Sequence, residues 1–239
     1  MRGSILPVLL LLVASGCSVR LGGPGPVEYR TVALSTGAGT LPDQVAKYIR
    51  LANANLVLLA AQEDSAWFAE VARRSNLTLS GPGDAGGVAL GFLASAPVGD
   101  TTVALPLESG GSVVVHDALY RVDKQRYLDL LALRVDDVAS VRPVVQALLR
   151  YVATDVMTDA AVVLAVAVPD AQTGDALASL LDPIFRDARS CLPESIQAAV
   201  PAGAGMRLFY GPEARLSCRG GRRLSDPAAP VVVQLVVDR

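Results

Sequence analysis

The sequence predicts an α/β (α+β) domain of two packed sheets with helices on the outside, and three observations carry that prediction. Asp159–Asp170 (DAAVVLAVAVPD) is a continuous apolar run of strand length with no polar–apolar alternation, the pattern of a strand buried on both faces. Just ahead of it, Val141, Val144, Val145, Leu148, Leu149 and Val152 recur on one face of a helix over Val141–Val156. In the middle, Val88–Ala94, Thr101–Leu105, Ser112–Tyr120 and Tyr127–Val135 follow one another across the turns Pro97–Asp100, Glu108–Gly111 and Asp123–Arg126, which reads as an antiparallel meander. Strands and helices mixed in both halves, with antiparallel content between them, fit stacked sheets better than a doubly wound parallel one.

The N-terminus is read apart from the fold. Met1-Arg2 is a short basic start, and Ile5–Val13 is an apolar stretch too short to span as a mature helix. Ala14-Ser15-Gly16-Cys17 sets small residues directly before a cysteine and resembles the lipobox of bacterial lipoproteins. The resemblance implies a signal peptide over 1–16 and a diacylated, further acylated Cys17, with the membrane as partner through that lipid anchor. Ser18, where Asp would favour the inner membrane, implies the periplasmic side of the outer membrane if the cell is Gram-negative. An ordinary secretory signal followed by a stray cysteine is the alternative. Residues 17–27 then serve as lipidated cysteine and Gly/Pro tether, and 28–239 as a single domain.

Along that domain, Tyr29–Leu34 is a strand leading into the flexible Ser35–Thr40. Pro42–Leu51 is a helix with Val45, Ile49 and Ala52 on one face, and Asn55–Ala60 a second buried strand. Asp64–Ser75 is a helix whose Trp67 and Val71 lie one turn apart, so Trp67 reads as core rather than as a stacking platform. Gly81–Gly87 is a loop by every turn signal. After the strand Ala161–Val168, the face Leu177, Leu180, Leu181, Ile184 and Phe185 gives a helix interrupted at Pro183. Cys191–Gly205 reads as loop, and Met206–Tyr210 and Val231–Val237 as the last strands.

The 239 residues are 51% hydrophobic with a formal net charge of −2, enough for one sizeable core. Near-neutral charge and few aromatics argue against a nucleic-acid-coating surface. With Cys17 set aside, Cys191 and Cys218 remain as an even pair in an exported chain, the pattern of a disulfide, with two unpaired buried thiols as the alternative. His116 is the single histidine, which removes any paired-histidine chemistry. Arg215, Arg219, Arg222 and Arg223 read as a Gly-containing loop around Cys218. That loop is either an anion-binding candidate for phosphate, anionic lipid or lipopolysaccharide headgroups, or a solvated surface. No G-x-S-x-G elbow occurs.

Four stretches resemble the endonuclease/exonuclease/phosphatase superfamily, the DNase I-like fold. Ala54–Glu63 (ANLVLLAAQE) is similar to the "ADVVLLQE" strand whose Glu binds the metal, and Gly86–Leu90 (GGVAL) to the "GxALLS" strand after it. Arg142 and Gln146 ahead of Leu148-Leu149 look like the "RxxQxxxL" helix preceding the "VVLAGDFN" strand. Leu224–Val233 (LSDPAAPVVV) resembles the terminal "SDHxPVVV" motif. The resemblance covers Glu28–Val237. It implies a four-layer α/β/β/α sandwich of two mixed, largely antiparallel sheets, and an ancestry of metal-dependent phosphoester hydrolysis.

The positions expected to do that chemistry are changed. The family's Asn at the end of the first strand falls on Ser35-Thr36, and the mid-chain His on Arg134. The Asp and Asn of "GDFN" fall on Ala167 and Pro169, the Asp of "RIDY" on Phe209, and the last His on Pro227. Methyl and pyrrolidine groups cannot take a proton, and Pro227 offers no donor. Glu63 remains as a possible metal ligand, with Asp226 and Asp170 as weaker ones. The resemblance therefore implies a degenerate, non-catalytic binding or scaffold module at the cell envelope, with an envelope protein or anionic ligand as partner and no cofactor. The alternatives are a divergent phosphoesterase using Mg²⁺ with recruited residues, or an envelope transport or assembly accessory of another fold.

Overall fold

The computed structural model describes residues 25–36, 39–61, 63–80, 88–92, 96–156, 158–197, 205–223 and 231–238. They form two six-stranded sheets. In spatial order, the first holds Leu216–Arg223 (β11), Val231–Val237 (β12), Val27–Thr36 (β1), Leu56–Ala61 (β2), Val88–Phe92 (β4) and Thr78–Ser80 (β3). The second holds Gly99–Pro106 (β5), Ser112–Arg121 (β6), Tyr127–Arg134 (β7), Ala160–Val168 (β8), Gly205–Gly211 (β10) and Arg186–Asp187 (β9). Helices Pro42–Ala52 (α1) and Ser65–Ser75 (α2) belong to the first half. Val141–Thr154 (α3), Ala171–Leu181 (α4) and the short Glu194–Gln197 (α5) belong to the second.

The two sheets share one topology. Each contains a parallel pair joined through a helix, β1-α1-β2 in one and β7-α3-β8 in the other, and every other pairing is antiparallel. A parallel neighbour cannot be reached by a hairpin, so each pair needs its crossover helix, and that helix covers the outer face of its sheet. Both parallel pairs therefore end in the same sense, at one end of the molecule.

Alternation along the strands divides the core into three layers. Ala161, Val163, Ala165 and Ala167 of β8 face the first sheet, among Leu56, Leu58, Tyr120 and Leu130. Val162, Leu164, Val166 and Val168 turn the other way, against Val144 and Leu148 of α3 and Leu177 of α4. On the first sheet, Val57 and Leu59 turn outward to Val45, Ile49 and Phe68. The uninterrupted apolar run of β8 thus serves two cores at once, and the whole is an α/β/β/α sandwich as expected. Each fully buried Val, Leu or Phe in these layers contributes about 1.5–3 kcal/mol.

Several local expectations are corrected. The Val88 strand leaves the meander and pairs with β2 in the first sheet; the meander proper is β5-β6-β7. The arginine-bearing stretch is a strand, β11, not a loop. Helix α4 stops at Leu181, so Pro183 follows the helix instead of interrupting it. The stretch read as loop from Cys191 starts on a 3₁₀ turn, Ala188–Cys191, and contains α5. Trp67 is part-buried against the first-sheet core, and its Nε1 donates to the Thr40 carbonyl at 2.7 Å. The 81–87 loop and the cysteine and leader at 1–17 lie outside the described residues. Among those residues no helix is long and apolar enough to cross a membrane.

Arg126 ties the entry to β1 to the exit from β12. Its Nη1 donates to the carbonyls of Val237 and Asp238 at 3.0 and 3.3 Å, and its Nη2 to that of Gly25 at 2.8 Å. Asp123 accepts from its Nε at 2.7 Å and fixes the guanidinium plane.

Cys191 and Cys218 form a disulfide joining the 3₁₀ turn to β11, across 27 residues of sequence. Closing a loop of that length restricts the unfolded chain by about 3.5 kcal/mol. The Cys191→Ser/Cys218→Ser variant is expected to lose about that much in urea denaturation, and dithiothreitol is expected to lower the parent but leave the variant unchanged.

A second buried feature escaped the sequence reading. Asp117 of β6 and Asp129 of β7 are both buried on the helix side of the second sheet. Tyr151 of α3 donates to Asp117 Oδ2 at 2.5 Å. Burial, then the hydrogen bond and charge of Asp117, push the Asp129 carboxyl up to about 8. In the unfolded chain it ionises near the usual ~3.9. Between those values the unfolded state sheds a proton that the folded state keeps, so stability falls as pH rises through the window. Asp123 and Asp170, held low by hydrogen bonds, act only at lower pH, where their protonation removes stability. Asp129→Asn keeps a donor toward Asp117 and cannot ionise. Its denaturation midpoint is expected to stay level from pH 5 to 8 and to exceed that of the parent at pH 8.

Candidate functional site

The C-terminal ends of the two parallel pairs open on a shared cleft of about 180 Å³. Ser35 and Thr36 come from β1, Ala60 and Ala61 from β2, Arg134, Val135 and Asp136 from the end of β7, Ala167, Val168 and Pro169 from the end of β8, and Gly205 from β10. Register sets Thr36 beside Ala61 and Arg134 beside Ala167, at corresponding places in the two sheets. The Val135 N–H donates to the Ala167 carbonyl at 2.9 Å and closes the end of the second pair. Pro169 has no N–H to extend the ladder, and β8 ends before it.

The chemistry of this lining is sparse. Among the described residues its ionisable side chains are Arg134, part-buried, and Asp136, exposed. The Arg134 Nε and the Thr36 Oγ1 are buried and have no hydrogen-bond partner among the described residues. The end of β8 presents a methyl, an isopropyl and a pyrrolidine group, none able to bind or move a proton.

Of the positions singled out in the sequence, Thr36, Arg134, Ala167 and Pro169 meet here. Glu63 lies two residues past β2 and does not line the cleft; its Oε1 accepts from the Gly39 N–H at 2.7 Å. Asp170 is the N-cap of α4, where its carboxylate accepts from the Thr173 N–H at 2.7 Å. Phe209 is fully buried in the helix-side core, paired with Leu164; the residue level with Ala167 on β10 is Met206. Asp226 and Pro227 lie outside the described residues. Asp136 and Gly205 were not singled out, because only the strand pairing brings them to the cleft.

Arg215, in the turn before β11, and the arginines of β11 each have a separate partner. Arg215 binds the Thr158 carbonyl and Asp159, Arg219 faces Glu28 at 3.6 Å, and Arg222 donates to the Ala52 carbonyl at 3.4 Å. Arg223 has a partner as well. His116 is buried between β5 and β7, its Nδ1 3.3 Å from Thr102 Oγ1 and its Nε2 3.3 Å from Asp100.

Among solved structures the chain is similar to an endonuclease/exonuclease/phosphatase protein from Bacteroides vulgatus, with a TM-score of 0.67 and 12% identity over 89% of this chain and 100% of that one. A Bacteroides thetaiotaomicron protein of the same description gives 0.66 and 12% over 90% and 97%. A mannosyl-6-phosphatase from B. thetaiotaomicron gives 0.59 and 12% over 90% and 100%. The chain thus has the endonuclease/exonuclease/phosphatase, DNase I-like fold, and the alternative of an accessory protein on another fold is set aside. No family model matches the sequence, and no curated protein does.

Proteins of this fold imply a divalent metal at the cleft. Mg²⁺ takes near-octahedral oxygen ligands, one or two of them carboxylates. Among the described residues no three Asp, Glu, His or Cys side chains group to hold a metal. The one carboxylate that the described residues bring to the cleft lining, Asp136, shares it with the Arg134 guanidinium. That donor set does not fit the ion.

Proposed function

We propose that this chain is an exported lipoprotein, anchored through Cys17, whose DNase I-like domain is a non-catalytic binding or scaffold module of the cell envelope. The observation that supports this is the Ala167-Val168-Pro169 end of β8, which contributes apolar groups to the cleft where a hydrolase needs a proton acceptor. The fold is kept by its three core layers, while the described residues lining the cleft include no acid–base pair of carboxylates or histidines. Its partner is an envelope protein or an anionic ligand, and no cofactor takes part.

The rival reading, a divergent metal-dependent phosphoesterase, draws on Glu63 at the end of β2. Incubating the purified full chain with phosphodiesters and phosphomonoesters, mannose 6-phosphate included, and Mg²⁺, Mn²⁺ or Ca²⁺ separates the two. The expected result is no turnover above a Glu63→Ala control. Metal-dependent turnover that the substitution abolishes would overturn the proposal.

The anchor is tested on its own. Palmitate labelling and detergent-phase partition are expected for the parent and lost in Cys17→Ala. Equal partition of both proteins would remove the lipid anchor.

A further inference from the structure

We propose that β5, the outer strand of the second sheet, takes an extended segment of an envelope protein as an added antiparallel strand. The proposal rests on the binding-module reading and names how a protein partner is held.

A contrast among the edges of the two sheets carries it. An edge strand presents a row of unpaired N–H and C=O groups, and folded proteins guard such rows by shortness, charge or bulges. Among the described residues three of the four edges are guarded. β3 has three residues and β9 two. β11 is bulged between Cys218 and Gly221 and carries Arg219, Arg222 and Arg223. β5 has eight residues in unbroken register with β6, and no Lys or Arg. Asp100, Thr101, Thr102 and Ala104 are all exposed. The Leu107 N–H donates to the Gly111 carbonyl at 3.1 Å, so the odd-numbered residues of β5 bond to β6. Alternation then turns the N–H and C=O of Asp100, Thr102 and Ala104 outward. Among the described residues these outward groups have no backbone partner.

Charge and chain length select the occupant. Asp100 is the one ionisable side chain of β5, which suits a neutral or basic segment. Val103 is half-buried against the helix-side core, so the added strand meets it with apolar residues on that face and polar ones on the other. A second copy of this chain does not fit. Two β5 strands joined antiparallel about a two-fold axis turn one copy end for end and put its Gly25 at the opposite pole. The tether from Cys17 to Gly25 reaches at most roughly 28 Å. That is too short to bring the inverted copy's anchor back along β1 to the same bilayer. A head-to-tail copy would need a second regular edge, which β3, β9 and β11 do not supply.

The test reads amide exchange of the full chain by NMR with a capped peptide, Lys-Thr-Val-Thr-Val-Thr-Val-Lys. The peptide is N-methylated on its valines, so it offers a single pairing edge and does not stack on itself. With its valines on the helix side, an antiparallel peptide turns its threonine N–H groups to β5. Saturable slowing of the Thr102 and Ala104 amides by about tenfold or more is expected. The Thr101 and Val103 amides, already bonded to β6, are expected to stay unchanged. The same peptide N-methylated on its threonines is expected to have no effect. Ala104→Pro removes an outward N–H that edge strands can spare; it is expected to keep the parent melting temperature and lose peptide binding. No slowing with the first peptide, equal slowing with both, or unaltered binding by Ala104→Pro would overturn the proposal. Slowing that appears without peptide and rises with protein concentration would give the edge to a second copy and overturn it as well. The two peptides decide if Ala104→Pro does not fold. Metal-dependent turnover with peptide binding intact would remove the non-catalytic reading alone. Neither binding nor turnover would remove this proposal alone.

Discussion

The molecule depends on parallel strands buried on both faces, because those strands must be apolar on both sides and must end together. In β7 and β8, and again in β1 and β2, the crossover helix packs on the outer face while the other sheet covers the inner one. Neither face of β8 leaves room for a polar side chain along its nine residues. On β8, polar side chains are therefore confined to where the ladder stops. The inner face is also short in side chain, with alanine at 161, 165 and 167, and this lets the sheets approach. The cleft is what remains where both parallel pairs run out.

This geometry separates what holds the fold from what lines the cleft. Ala167 packs in the inter-sheet core and Pro169 follows the end of β8, so the side chains at these two positions add no polar group to the three core layers. The neighbouring carboxylates have structural employment. Asp170 caps a helix, and Glu63 holds the Gly39 backbone across from it. Arg134 is the exception: a long cation at the end of a buried strand whose Nε lacks an internal partner.

What could be read from the sequence follows from how each element signals itself. The β8 run and the faces of α1, α2 and α3 are periodic or uniformly apolar, so they were legible. Strand β11 was hidden because Gly220, at φ +114°, and the register shift between Cys218 and Gly221 make a bulged edge strand look like a turn-rich loop. Asp129 inside an apolar strand gave no sign of its buried partner, since Asp117 lies on a different strand and only pairing brings them together. The cleft was legible at Thr36, Arg134, Ala167 and Pro169 through the resemblance. Phe209 went astray because one sequence does not reveal that β10 sets Met206, not Phe209, level with Ala167.

The Arg126 clamp has a consequence for orientation. It fixes Gly25 beside Val237 and Asp238 at the start of β1, whereas the cleft opens at the other end of that strand. Ten residues at about 3.3 Å each separate the two by roughly 30 Å. A tether arriving at Gly25 from an acylated Cys17 would enter at the pole opposite the cleft. The domain would then stand on the bilayer with its cleft turned outward, suited to meeting solutes and neighbouring macromolecules in the aqueous space, not the lipid headgroups beneath it.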